Sequence, residues 1–121
     1  MNSTAHTGSL GEELATQYLI GEGYSIEARN WREGHYELDI VAMKYDTLHF
    51  IEVKTRRWGG LTPPEAAMTR SKQSALRNAI TSYLNASRWN GEIQFDLISV
   101  SLLGNECKSL EMIENAVEYN W

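Results

Sequence analysis

The chain has 121 residues, 42% of them hydrophobic, enough to bury one core and not two, so a single domain over 1–121 is expected. A formal net charge of −5 argues against a protein that holds nucleic acid by bulk positive charge, because phosphate contacts come from Lys and Arg. The lone Cys107 excludes an internal disulfide, no apolar run approaches the roughly 18 residues of a membrane span, and the N-terminus lacks a signal peptide's apolar stretch, so a cytoplasmic location is expected.

In chain order, residues 1–7 are small and polar and are expected to be disordered. A helix is predicted over 10–22, ended by Gly23. At about 100° per residue, Leu10, Leu14, Ala15, Tyr18 and Leu19 cover one half of its circumference and should pack on a sheet. Glu12 borders that arc, whereas Glu13 faces solvent. That border position makes Glu12 the acid able to reach a site at the sheet edge; the plainer reading is that a glutamate there suits the positive end of the helix dipole. Residues 24–31 alternate apolar and polar side chains and read as a first strand, closed by Asn30-Trp31-Arg32. Trp31 there suits packing and Arg32 a surface charge. Glu33-Gly34-His35 turns the chain, and His35, alone in a loop, is not expected to be a ligand.

Residues 36–54 read as a β-hairpin, with one strand through Glu37-Leu38-Asp39-Ile40-Val41-Ala42 and a return through Leu48-His49-Phe50-Ile51-Glu52-Val53-Lys54. A turn of two residues, Tyr45-Asp46, or of four, from Lys44 to Thr47, sets Asp39 opposite Glu52 and Glu37 opposite Lys54. A three-residue turn would put Asp39 and Glu52 on different faces. The even turn is adopted because it makes the charges converge. Glu37, Asp39 and Val41 then share a face with Phe50, Glu52 and Lys54, and His49 lies on the other. Two carboxylates facing each other across an antiparallel pair are destabilising unless a cation or a proton lies between them.

Residues 55–64 contain Gly59-Gly60 and Pro63-Pro64 and are expected to form a loop. With Arg56, Arg57 and Trp58, that loop suits a flap touching a phosphate backbone and stacking on an unpaired base; the plainer reading is a connector. Between 54 and 77 six cations (Lys54, Arg56, Arg57, Arg70, Lys72, Arg77) stand against Glu65, a formal +5 that implies one basic side. A second helix, capped by Thr69 or Ser71, should run to residue 87, with Leu76, Ala79, Ile80, Tyr83 and Leu84 as its buried stripe. Lys72 continues that stripe into the first turn, where a cation is unfavourable unless an anion is near. A strand follows over 92–101, expected beside the hairpin; Asp96 within it is read as structural, with an arginine as its expected partner. The segment 108–117 is left as an edge strand or a short helix.

The order helix glutamate, strand aspartate, Glu-x-Lys on the paired strand, basic helix start resembles the PD-(D/E)xK phosphodiesterase core, the restriction-endonuclease-like fold also used by Holliday-junction resolvases. More closely the chain is similar to the small bacterial YraN-like proteins. That resemblance is carried by Gly11-Glu12-x-x-Ala15, Asn30-Trp31-Arg32, Glu37-Leu38-Asp39-Ile40-Val41-Ala42, Phe50-Ile51-Glu52-Val53-Lys54-Thr55-Arg56 and Lys72-Gln73, over roughly residues 8–100. It departs from the name motif in having Leu38 where the proline would stand.

The resemblance implies an α/β restriction-endonuclease-like fold, a central mixed β-sheet flanked by helices in the order α-β-β-β-α-β. It implies a divalent-metal-dependent endonuclease acting on nucleic acid, with branched or distorted DNA as the expected substrate. Hard Mg²⁺ or Mn²⁺ takes oxygen ligands and typically one or two carboxylates, which makes Asp39 and Glu52 the candidate ligands. By resemblance the Val53 carbonyl is a third, Glu12 serves a second ion or a metal-bound water, and Lys54 orients the attacking water. Arg56, Arg57, Arg70, Lys72 and Gln73 are the candidate nucleic-acid contacts. Zinc is excluded because Cys107 and the three His show no ligand spacing. The alternative is a catalytically silent relative that binds nucleic acid or a protein partner in DNA repair or processing. The expected partner is DNA, no membrane is involved, and a homodimer stays open.

Overall fold

The structure, a computed structural model, describes residues 4–60 and 68–116. In chain order it consists of α1 (Thr4–Gly21), β1 (Ser25–Glu33), β2 (Tyr36–Lys44), β3 (Thr47–Arg57), α2 (Arg70–Ser87), β4 (Glu92–Leu103) and β5 (Glu106–Ile113). The expected order is present with one strand added, β5, in the segment the sequence left open; position 117 lies outside the described residues. The five strands form one sheet in chain order. All neighbours are antiparallel except β3 and β4, which run parallel and are joined through α2, the crossover a parallel pair requires. This is the α/β arrangement of a restriction-endonuclease-like fold.

The two helices cover opposite faces. Ala15 and Leu19 of α1 pack with Ile40, Ala42, Ile51, Ile98 and Val100. Leu76, Ala79 and Ile80 of α2 pack with Val41, Leu48, Phe50 and Phe95. Each set comes from alternate strand positions, as the two-residue period demands. α1 begins at Thr4, so the backbone of residues 4–7 is helical where disorder was expected; residues 1–3 lie outside the described set. The apolar stripe starts at Leu10, and the turns before it carry no periodicity to read. Thr69 caps α2, its hydroxyl accepting from the Lys72 backbone N–H at 3.2 Å.

β3 also runs further than expected. Thr55, Arg56 and Arg57 remain strand, paired with Val100, Ser101 and Leu102 of β4. The twelve residues of β4 offer a template on one side that is long enough to hold them. The predicted loop therefore shrinks to Trp58-Gly59-Gly60, with Leu61, Thr62, Pro63 and Pro64 outside the described residues.

The hairpin turn is Tyr45-Asp46, and Tyr45 takes φ 54, the left-handed conformation that a two-residue turn calls for. The register is the even one: Lys44 pairs with Thr47, Val41 with Phe50, and Ile40 with Ile51. There the β2–β3 ladder stops. Beyond it β2 pairs only with β1, through Leu38 with Trp31, Glu37 with Arg32 and Tyr36 with Glu33. β3 pairs only with β4, from Glu52 with Leu97 to Arg57 with Leu102. Asp39 and Glu52 are the first residues past the last shared pair, so they match in register without forming a ladder pair.

β2 changes face at the same point. Ile40 and Ala42 pack under α1, whereas Leu38 packs with Val41 under α2, which strict alternation forbids. The break falls on Asp39. β1 breaks in step: Asn30 takes φ 50, and Ala28 and Trp31, three residues apart, both pack on the α2 side.

Candidate functional site

The split between β2 and β3 is where the acids gather. Asp39 lies at its root, and its Oδ2 accepts from the Val53 N–H at 2.9 Å, taking the place of the strand carbonyl that the ended ladder no longer supplies. Burial raises the Asp39 pKa above its ordinary value, against the opposing pull of the Val53 bond and of Lys72. Glu52 is more enclosed, its side chain 11% exposed, and its Oε1 accepts from the Lys72 ammonium at 2.9 Å. Burial and then the negative charge of Asp39 push the Glu52 pKa from 4.5 up to about 7 in spite of that ammonium. Asp39 and Glu52 are near enough for the charge of one to bear on the ionisation of the other.

Lys72 answers the electrostatic puzzle of a cation in the first turn of α2, since Glu52 is the anion beside it. Burial works to lower its pKa, but the Glu52 bond and the charges of Glu52, Asp39 and Glu37 outweigh it, and the net direction is up. From the other layer, α1 brings Glu12 toward the same split. Burial and then the charge of Asp39 raise the Glu12 pKa, while a hydrogen bond with the Asn30 side chain lowers it. Glycine at position 11 permits this approach, because a Cβ there would collide with the Thr55 hydroxyl. The Glu13–Arg29 ion pair at 3.0 Å ties α1 to β1.

Other predicted residues are placed differently. Lys54 is exposed and two residues beyond Glu52 on the same side. Glu37, expected opposite Lys54, instead pairs with Arg32 at 3.4 Å, because past Ile40 its strand is bonded to β1. The Arg56 Nε donates to the Ser101 hydroxyl at 3.1 Å. Gln73 turns back onto the Met68 carbonyl at 2.8 Å. Arg57 and Arg70 are exposed, and so is His35. Asn30 was not among the expected site residues; the one local hint was that Asn tolerates the left-handed region in which it sits.

His49 lies on the α1 side, away from Glu52, as expected. Its Nδ1 stands 2.7 Å from Oδ2 of the buried Asp96, so the structural acid is partnered by a histidine and not an arginine. Gln94 and the Asn115 N–H bond to the other Asp96 oxygen at 2.8 and 3.1 Å. A groove of about 240 Å³, lined by Tyr18, Glu22, Tyr24, Lys44, Met112 and Glu114, lies toward the hairpin turn and holds none of the candidate acids.

The donor set at the split suits a hard cation. Asp39 and Glu52 offer carboxylate oxygens with no Cys or His beside them, and their proton affinities are raised first by burial and, for Glu52, then by the charge of Asp39. Among the described residues no three His, Cys, Asp or Glu side chains form a closed metal cage, so a bound ion would have to keep several waters.

Fold and site together define a restriction-endonuclease-like α/β domain with an acidic centre at the split of its hairpin. The chain belongs to the family described as Uncharacterised protein family UPF0102, which it matches over residues 11–100, a span holding every candidate residue from Glu12 to Gln73. It is 46% identical over 95 residues to a UPF0102 protein of Oleidesulfovibrio alaskensis, covering 78% of this chain and 47% of that protein, so it spans about half of that relative's length. A UPF0102 protein of Nitratidesulfovibrio vulgaris is 42% identical over 113 residues, covering 93% of this chain and 84% of that one. One of Porphyromonas gingivalis is 41% identical over 110 residues, covering 90% and 82%. No helix among the described residues is long and apolar enough to cross a membrane.

Proposed function

We propose that this domain hydrolyses phosphodiester bonds in nucleic acid, with Mg²⁺ or Mn²⁺ held by Asp39 and Glu52. The observation that carries the reading is the meeting of these two enclosed carboxyls, both with raised proton affinity, at the root of an opening in the sheet. A divalent cation there would supply a hydroxide near neutral pH and positive charge for the phosphoryl oxygens. Asp39 and Glu52 would hold it in their ionised forms, and Glu12 would be available to accept a hydrogen bond from a water near them. Lys54 is exposed beside Glu52, where its ammonium can orient a water and meet phosphate. Lys72 neutralises Glu52 and is close enough to bear on a bound phosphate as well.

The same ion pair favours a second reading, in which Lys72 permanently replaces a metal and the domain only binds nucleic acid. Labelled junction, flap, single-stranded and duplex substrates, each with Mg²⁺, Mn²⁺ or chelator, separate the two. Cleavage that needs the metal, disappears in Glu52→Ala and slows in Lys54→Ala with Mn²⁺ binding retained supports the hydrolase. Binding without cleavage in every metal supports the silent domain.

A further inference from the structure

The end of the sheet where β2 and β3 part carries two exposed rings, Tyr36 at 40% and Trp58 at 48% exposure. They stand on opposite banks of the split. Tyr36 opens β2 and pairs with Glu33 of β1. Trp58 follows β3, and its backbone N–H donates to the Leu102 carbonyl at 2.8 Å, which continues the bonding to β4 and fixes the ring's attachment point on the sheet. Alternation places Tyr36 on the side of Leu38, the α2 side, where Glu52 meets Lys72, and Trp58 follows directly on the end of β3 across the split. Exposed cations accompany them on the α2 side, Lys54 on β3 and Arg70 at the start of α2, whereas alternation turns Arg57 to the other face.

We propose that the split seats a single nucleic-acid strand, with Tyr36 and Trp58 stacking unpaired bases and Lys54 and Arg70 meeting its phosphates. This rests on the phosphodiesterase reading and names its substrate class. Flat rings interleaved with cations match a chain of bases on an anionic backbone, and stacking on them is tolerant of sequence. A duplex keeps its base faces inside the stack and offers the rings nothing. The acidity of the rest of the chain fits as well, since a short strand in a local cationic seat does not need a basic molecule.

The test is fluorescence anisotropy of the full chain in chelator, with a labelled oligothymidylate and a labelled duplex of equal length. The single strand should bind roughly tenfold tighter or more. Trp58→Ala should weaken it by about 5- to 150-fold, Tyr36→Ala toward the lower end of that range, and Trp58→Phe should keep most of the affinity. Both aromatic positions are exposed, and matching thermal melts establish that the variants are folded. Equal or tighter duplex binding, no effect of either alanine, or no binding of any oligonucleotide overturns the proposal. Because no metal is present, a chain that prefers single strands yet cuts nothing loses only the hydrolase reading. One that prefers duplex yet cuts with Mn²⁺ loses only this inference.

Discussion

Replacing Asp39 by Asn removes one charge from the pair at nearly constant shape, and the remaining side-chain oxygen can still accept from the Val53 N–H. The size of the effect follows from Glu52. A pKa raised from 4.5 to about 7, at 1.36 kcal/mol per pH unit, corresponds to about 3 kcal/mol of preference for the protonated form in the folded state. The folded protein thus holds a proton more tightly than the unfolded chain, so this contribution is fully present below about pH 4.5 and is lost as pH rises through 7. Burial is the larger cause and the Asp39 charge the second, so the substitution relieves only part of it, about 1 kcal/mol. In chelator, thermal melts at pH 5, 6, 7 and 8 should show wild type losing stability across the range and Asp39→Asn losing less. At pH 8 the variant should melt higher, by roughly 3–6 °C for a chain of this size. A variant that melts lower at pH 8 with an unchanged pH slope would refute the reasoning and make Asp39 a purely structural acid.

Other outcomes follow from the same geometry. Wild type should gain about 2.7 kcal/mol at a hundredfold excess of Mn²⁺ over its dissociation constant, whereas Asp39→Asn and Glu52→Gln should gain little, as melts with and without the metal will show. Gly11→Ala should destabilise by about 1–3 kcal/mol although alanine favours a helix, because its Cβ meets the Thr55 hydroxyl; Thr55→Ala in the same chain should restore stability in denaturant titrations. His49→Ala should cost about 2–4 kcal/mol by stripping the buried Asp96 of a partner, yet leave the stabilisation by Mn²⁺ intact, because the two acids lie on different faces.

The register that sets Asp39 level with Glu52 could be read from the sequence because a two-residue turn fixes it. The stripe of α2 and the Thr69 cap were legible for the same local reason. What was not legible depends on where pairing stops. Nothing in the run from Glu37 to Ala42 announces that the ladder ends at Ile40, that Glu37 therefore answers to Arg32, or that Asn30 turns left-handed in step with the break. The partner of Asp96 was missed because it depends on the register of two parallel strands joined by a long crossover, and that register sets Asp96 beside Ile51 and within reach of His49. The pairing of Lys72 with Glu52 crosses layers, so the sequence could give the need for an anion but not its identity.

The split and the acidic centre have a common cause in Asp39. Opening a sheet leaves backbone donors that must find partners, and the Val53 N–H finds the Asp39 carboxylate. An acid placed only to cap that donor would have its pKa lowered by the bond, as N–H donors do to carboxylates. Asp39 is instead raised, because burial outweighs the bond that would lower it, and Glu52 beside it is raised further. Capping Val53 does not by itself require an acid, since an asparagine would cap as well without adding charge beside Glu52. A ligand that needs both charges would explain it, and the divalent cation proposed above is one that carboxylate oxygens suit.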